Sequence, residues 1–232
     1  MAIPPYNPLV AGDREIEGVI KFKLNHQEAP LPQHPGFQEL NAWRNLLFEL
    51  GLTGQDPARY GGLGFGNMSI RTVESQFIIS GSQTGGIRTL GVNHYVWVTR
   101  ANPLENAIES IGPIQPSSES MTHASAYAAC SWIQCVLHVH HPGIWIASES
   151  LGLPSTSPDV AYGTPAMAAE IERLARGTGG PVIAMKGHTD GLIAIGKNIQ
   201  ETGQALIDVL IKSAIRQTSS PMTREEAPHS LE

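Results

Sequence analysis

Residues 117–141 decide the fold of this 232-residue chain and read SSESMTHASAYAACSWIQCVLHVHH. Two serines and a glutamate precede an alanine-rich stretch, and hydroxyl side chains in that position favour the start of a helix. A run of aliphatic and β-branched residues then extends over residues 134–140, which is typical of a buried strand. The segment therefore predicts a helix over residues 119–132 followed directly by a strand.

The C-terminal part of the chain continues this alternation of helices and strands. Residues 164–177 carry a threonine cap, a proline at the first helical position and a terminal glycine, which together predict a helix. Short apolar runs at 181–185 and 192–195 predict two strands. A capping motif at its start predicts a last helix over residues 198–216.

The N-terminal part carries the same kinds of pattern. Apolar residues at three- and four-residue spacing predict a helix over residues 37–50, which ends at Gly51. Strands are predicted at 68–71, 76–80 and 95–99. Strands interspersed with helices imply a sheet covered on both faces, a three-layer α/β/α sandwich. Several strand connections are too short for a helical crossover, so the central sheet is expected to be mixed and largely antiparallel.

Three regions follow from this reading of the chain. Residues 1–35 are rich in proline and polar groups and lack a sustained period, which suggests an N-terminal arm lying over the surface or a neighbouring subunit. Residues 36–217 form a single predicted domain, and residues 218–232 form a C-terminal tail.

Composition limits the class of protein. A hydrophobic fraction of 41% with 16% charged residues is that of a globular chain rather than a disordered one. A net charge of −6 without any run of lysine or arginine argues against nucleic acid as a partner. The chain shows no secretory signal and no apolar run of about 18 residues, so we expect a cytoplasmic protein with no membrane partner. Cys130 and Cys135 are too few for a disulfide framework.

The strand at 134–140 carries the strongest chemical signal. Side chains two residues apart in a strand project from one face, so His138 and His140 point at one spot. Neutral imidazole nitrogens are preferred ligands of zinc, and the pair therefore predicts a metal site. Taken alone, the pair also fits two structural histidines on a half-exposed strand. Glu119 fits either a proton carrier beside that site or a carboxylate that complements the helix dipole.

Several short motifs follow one another in a specific order. They are Gly66-Asn67-Met68-Ser69-Ile70-Arg71, then Ser80-Gly81 and Thr84-Gly85, then Ser117-Ser118-Glu119, then His138-Val139-His140, and finally His188 followed by Gly191. With this ordered set, residues 36–216 resemble the class II (zinc-dependent) aldolase/adducin family, and in particular its fuculose-phosphate aldolase-like proteins.

The resemblance implies a divalent-metal-dependent carbon–carbon lyase of aldolase type. His138, His140 and His188 would hold Zn²⁺ or another divalent metal, and Glu119 would transfer the proton. The substrate would be a small hydroxy-carbonyl compound, sugar-like or sugar-phosphate-like, cleaved through a metal-stabilised enediolate. The family also implies a homotetramer with active sites at subunit interfaces. Substrate or anion binding would fall on the turn and helix-start residues Gly66, Asn67, Ser69, Ser80, Gly81, Thr84, Gly85, Ser117 and Ser118.

Other outcomes stay open at this point. The same metal site serves an epimerase, a dehydratase or a decarboxylase, and the family also contains the non-catalytic adducin head, which lacks the metal-binding histidines. Residues 187–194 read GHTDGLIA, so Asp190 occupies the place before the glycine where the commoner family form has its histidine. We favour His188 as third ligand because an imidazole completes the usual set, with Asp190 orienting it. The turn at 79–86 is longer than the family's phosphate-side turn, which leaves a phosphate on the substrate open.

Overall fold

An eight-stranded sheet lies at the centre of the computed structural model, which describes residues 19–177 and 180–219. The start of the predicted arm and nearly all of the predicted tail lie outside those residues. Two short strands pair separately from the main sheet. In chain order the strands are β1 (Lys23–Glu28), β2 (Gly54–Gln55), β3 (Gly64–Phe65), β4 (Asn67–Arg71), β5 (Phe77–Ser80), β6 (Tyr95–Asn102), β7 (Ala107–Gly112), β8 (Cys135–His140), β9 (Val182–Ala184) and β10 (Gly191–Gly196).

The main sheet is mixed and largely antiparallel, as the sequence predicts. Its strand order is β1-β7-β6-β5-β4-β8-β10-β9, and only the pair of β1 with β7 at one edge is parallel. β8 lies between β4 and β10, so its residues are buried on both sides of the sheet.

Helices cover both faces of the sheet. They are α1 (Phe37–Glu49), α2 (Ser120–Ala129), α3 (Pro142–Ala147), α4 (Pro165–Arg176) and α5 (Ile199–Ser219). α2 and α4 pack with Val136 and Ile193 on one face, whereas α1, α3 and α5 pack with Leu137 and Val139 on the other. This arrangement is the predicted three-layer sandwich. Within the described residues, no helix combines the length and the apolar character needed to span a bilayer.

Arg71, the last residue of the Gly-Asn-x-Ser-x-Arg motif, explains where α2 ends. Its Nε donates to Ile133 O at 2.7 Å, and its Nη2 donates to Tyr127 O at 2.7 Å and to Cys130 O at 3.0 Å. These bonds satisfy carbonyl groups that the end of a helix leaves without partners. α2 therefore ends at Ala129, three residues before the predicted end.

Five of these elements were not predicted from the sequence, namely β1, β2, β3, β7 and α3. β1 belongs to the predicted N-terminal arm, yet it forms the edge of the main sheet beside β7. It reads KLNHQE with a single apolar residue, because an edge strand covers little of the core and needs no alternating pattern. β7 includes a glutamate and three small residues, and α3 is only six residues long, so neither gives a clear periodic signal.

Candidate functional site

His138 and His140 lie on the face of β8 that α2 covers, as the alternation of side chains along a strand predicts. Both side chains are fully buried, and their Nε2 atoms are 3.1 Å apart. His141, the next residue, caps α3 instead, because its Nδ1 accepts a hydrogen bond from Ile144 N at 3.1 Å.

The tight turn between β9 and β10 brings His188 to the same spot. The His188 ring centroid lies 5.2 Å from that of His138 and 4.7 Å from that of His140. One ligand nitrogen from each ring lies within 4.8 Å of the other two, so the three imidazoles form a group that can hold a metal ion. Gly187 permits this turn, since a Cβ there would meet Val160 O at 1.8 Å.

The electrostatics of the cluster suit a divalent cation such as zinc. His138 Nδ1 donates to Leu192 O at 3.0 Å, which orients the ring and leaves Nε2 to act as the ligand. Burial holds the pKa of His138 and of His140 well below its usual range, and the neighbouring imidazoles lower it further. The rings are therefore neutral, which is the protonation state that a metal ligand requires.

Asp190, the alternative third ligand, has a different set of contacts. Its Oδ2 accepts a hydrogen bond from Tyr60 Oη at 2.7 Å and lies 3.4 Å from Arg59 Nη2. The metal-ligand group contains His188 and does not contain Asp190. Asp190 therefore ties the loop between β2 and β3 to the β9–β10 turn, and its role in orienting His188 stays a prediction.

Aromatic side chains enclose the cluster, and no pattern in the sequence indicated them. The Tyr60 ring lies 4.7 Å and the Phe65 ring 5.5 Å from the His140 ring, measured between centroids. The Tyr162 ring lies 4.4 Å from the His188 ring. These rings pack against two of the three buried imidazoles, His140 and His188.

Glu119 occupies the N-cap position of α2 rather than its first turn and is fully buried. Its Oε2 accepts a hydrogen bond from Thr122 Oγ1 at 2.7 Å, which fixes the direction of the carboxylate. The backbone N–H of Glu119 donates to Ser117 Oγ at 3.3 Å. Thr122 is a further site residue that the sequence analysis did not single out.

The packing of α2 on β4 brings Glu119 to the face of the sheet that carries the histidine cluster. One turn after Glu119, His123 Nδ1 lies 2.7 Å from Ser69 Oγ on β4. Two residues before Ser69, Asn67 lies directly opposite His138 in the pairing of β4 with β8. One helical turn covers about the same distance as two residues of a strand. Glu119, one turn before His123, therefore lies over Asn67 and His138, two residues before Ser69.

A small polar pocket adjoins this part of the sheet. It brings together seven of the nine predicted anion-binding residues, namely Gly66, Asn67, Gly81, Thr84, Gly85, Ser117 and Ser118, and adds Gly64, Ser82 and Gln83. None of these described lining residues carries a charge. Asn67 Oδ1 is buried and has no hydrogen-bond partner among the described residues, which leaves it available to a ligand.

The other two predicted anion-binding residues do not line the pocket. Ser69 Oγ is buried beneath α2, 2.7 Å from both His123 Nδ1 and Tyr127 Oη. Ser80 Oγ accepts a hydrogen bond from Met68 N at 3.2 Å and is buried within the sheet. Both hydroxyls form hydrogen bonds inside the protein, and substrate or anion binding by these two serines stays a prediction.

Arg44 holds the loop that forms one wall of the pocket. It is buried, and its guanidinium donates to Thr84 O at 3.0 Å, to Gly85 O at 2.9 Å and to Arg88 O at 2.8 Å. Gly85 packs so closely that a Cβ would meet Phe65 N at 2.6 Å. Arg44 and the close packing of Gly85 on Phe65 therefore hold the backbone of this loop in place.

Replacing Arg44 with methionine is expected to lower the free energy of unfolding by about 3 kcal/mol, because it leaves buried carbonyl groups without donors. Urea denaturation measures the change. Arg88 forms an exposed salt bridge with Glu49 at 2.8 Å, so Arg88→Met is the matched control and is expected to cost less than about 1 kcal/mol. Equal losses in the two variants would show that Arg44 does not support the loop.

Burial lowers the pKa of His123 from its ordinary value of 6.5 to about 3. Between those two values the unfolded chain binds a proton that the native chain does not. The contribution of His123 to stability therefore falls as the pH drops below about 6.5, by about 1.4 kcal/mol per pH unit. His123→Gln retains a hydrogen-bonding partner for Ser69 and is expected to remove that part of the pH dependence. Urea unfolding in a chelating buffer between about pH 6 and about pH 4 measures it; identical slopes in both proteins would contradict the prediction.

A mixed α/β/α sandwich with a buried histidine cluster and a glutamate on one face of its sheet defines a protein of the class II aldolase type. The class II aldolase and adducin N-terminal domain family matches residues 58–210, and the chain belongs to this family. No protein among those of curated function matches the sequence.

Solved structures support the same fold at low sequence identity. L-fuculose-1-phosphate aldolase from Thermus thermophilus superposes with a TM-score of 0.58 at 19% identity, over 80% of this chain and 97% of that one. A sugar-phosphate aldolase from Thermotoga maritima gives 0.59 at 12% identity, over 78% and 93%. YgbL from Klebsiella pneumoniae, a candidate aldolase, epimerase or decarboxylase, gives 0.60 at 14% identity, over 80% and 89%.

Proposed function

We propose that this protein is a divalent-metal-dependent lyase of aldolase type that acts on a small hydroxy-carbonyl compound. The observation that carries the proposal is the cluster of His138, His140 and His188 on the face of the sheet above which Glu119 is buried. Three imidazole ligands leave coordination positions open for a substrate. When bound, the ion supplies a Lewis acid for negative charge that develops on the oxygen atoms of the substrate.

The residues of the chain provide the rest of the chemistry. The Glu119 carboxylate is the group that takes a proton from the substrate and returns it, and the hydrogen bond from Thr122 holds it in one orientation. The aromatic rings around the cluster exclude water and so strengthen electrostatic interactions there. The amide of Asn67 and the hydroxyls of Ser117 and Ser118 bind the polar end of the substrate.

Enolisation is the step that tests this proposal without knowledge of the substrate. Dihydroxyacetone carries the required hydroxy-carbonyl unit, and proton removal from its carbon in D₂O exchanges hydrogen for deuterium. We expect zinc-loaded protein to contain one ion per chain and to accelerate this exchange, as followed by proton NMR. Protein that binds no divalent ion, or that carries zinc without accelerating exchange, would refute the proposal.

An epimerase, dehydratase or decarboxylase is the second candidate, because each begins with the same proton transfer or the same stabilised carbanion. The similarity to YgbL, a candidate aldolase, epimerase or decarboxylase, supports this second candidate function. Analysis of the products separates these activities from a lyase. A non-catalytic role like that of the adducin head is less well supported, since such a role has no use for the histidine cluster.

The quaternary structure and the location are part of the same proposal. By resemblance to its family we propose a homotetramer in the cytoplasm, with active sites at subunit interfaces and neighbouring subunits contributing to them. Analytical ultracentrifugation of the full chain measures the assembly. A sedimenting species with the mass of a monomer would contradict the tetramer and leave the metal site unaffected.

A further inference from the structure

Arg59 places a permanent positive charge at the His140 end of the histidine cluster. Its guanidinium carbon lies 4.7 Å from the centre of the Tyr60 ring and 5.3 Å from that of Phe65. Both of these rings pack against His140. Arg59 therefore packs on the two aromatic rings that contact a predicted metal ligand.

The guanidinium keeps hydrogen-bond donors for a ligand. Nη2 donates to Tyr60 Oη and to Asp190 Oδ2, the latter at 3.4 Å. Asp190 receives its shorter bond from Tyr60, at 2.7 Å, so its carboxylate orients the guanidinium through one long contact. Nε and Nη1 have no partner among the described residues, and the side chain is 30% exposed.

The two ends of the candidate site differ in their polar groups, because the His140 end carries the ion pair of Arg59 and Asp190. His138 lies opposite Asn67, which lines the uncharged polar pocket. His140 lies two residues further along β8, with its ring centroid 4.9 Å from that of His138, and Arg59 adjoins that end. A substrate that spans the histidine cluster would therefore direct a neutral or hydrogen-bonding group towards Asn67 and an anionic group towards Arg59.

We propose that Arg59 binds a carboxylate of the substrate, which makes the substrate a hydroxy-oxo acid rather than a neutral sugar. The inference rests on the proposed function, because it places the carboxylate next to the hydroxy-carbonyl unit at the metal. Arginine forms charge-assisted hydrogen bonds with carboxylates, and the Tyr60 and Phe65 rings pack against its planar group.

Three probes with the same hydroxy-carbonyl unit test this inference by calorimetric titration into zinc-loaded protein. Dihydroxyacetone is neutral, hydroxypyruvate carries a carboxylate, and dihydroxyacetone phosphate carries a phosphate. We expect the wild-type protein to bind hydroxypyruvate more tightly than dihydroxyacetone. Arg59→Gln is expected to weaken hydroxypyruvate binding roughly tenfold to a hundredfold and to leave dihydroxyacetone binding unchanged.

The controls separate recognition of the carboxylate from a structural effect. Arg100→Gln removes an exposed arginine that pairs with Glu109 at 3.1 Å, far along the sheet, and is expected to behave as wild type. Arg59→Lys keeps the charge without the planar group and is expected to retain part of the preference for hydroxypyruvate over dihydroxyacetone. If Arg59→Gln does not fold, Arg59→Lys serves as the test variant.

Three results would overturn the inference. They are unchanged hydroxypyruvate binding in Arg59→Gln, equal weakening of all three probes, and weakening confined to the phosphate. Zinc content measured on the same samples distinguishes this failure from failure of the proposed function. If the wild-type protein takes up no zinc, both the proposed function and the role of Arg59 are refuted. If the protein binds zinc but Arg59→Gln binds hydroxypyruvate as tightly as the wild type, only the role of Arg59 is refuted.

Discussion

Replacing Glu119 with glutamine is expected to slow the deuterium exchange of dihydroxyacetone by roughly a hundredfold to ten-thousandfold, the usual contribution of a positioned general base. Glutamine has nearly the shape of glutamate, and its carbonyl oxygen can accept the hydrogen bond that Thr122 Oγ1 gives to Glu119. The variant is therefore expected to fold and to bind one zinc ion per chain. Proton NMR in D₂O and metal analysis measure the two quantities on the same sample.

Glu172→Gln is the matched control for this experiment. Glu172 lies on α4 and forms an exposed pair with Arg176 at 2.9 Å, so its loss is expected to leave the exchange rate unchanged. Exchange at the wild-type rate in Glu119→Gln would assign the proton transfer to another group. Loss of zinc in that variant would instead make Glu119 part of the metal site.

Replacing His138 with alanine is expected to weaken zinc binding by at least about a hundredfold, since it removes one of three ligands from a site worth on the order of 10 kcal/mol. The substitution also removes the hydrogen bond from His138 Nδ1 to Leu192 O. Metal content after dialysis and competition with a chelator of known affinity measure the loss.

His141→Asn is the control, because His141 directly follows β8 and caps α3. Asparagine caps helices well, so the cap that His141 provides to α3 is expected to survive. This variant is expected to keep its zinc. If His138→Ala bound zinc as tightly as the wild type, His138 would not be a ligand.

The fold was largely predictable because its central elements carry strong periodic signals. β8 is a continuous apolar run buried between two strands, and α4 is bracketed by a threonine cap, a proline and a glycine. The alternation of side chains along β8 was sufficient to place His138 and His140 on one face. β1 and β7 escaped prediction because their pairing at the sheet edge depends on the partner strand rather than on their own pattern.

The surroundings of the site were not predictable from spacing. Tyr60 and Asp190 are 130 positions apart, and only the tertiary fold brings them within hydrogen-bonding distance. Ser69 shares a motif with Asn67, but a motif does not say that the hydroxyl of Ser69 is already bonded to His123 and Tyr127. Arg59 gave no signal, since its role depends on the aromatic rings on which it lies.

Anomalous diffraction at the zinc absorption edge, from crystals of the zinc-loaded protein, tests the histidine cluster most directly. We predict a single strong peak per chain bound by one ring nitrogen from each of His138, His140 and His188, at about 2.0 to 2.1 Å. A peak elsewhere, or an ion bound through Asp190 in place of His188, would contradict the proposed metal centre and the function that depends on it.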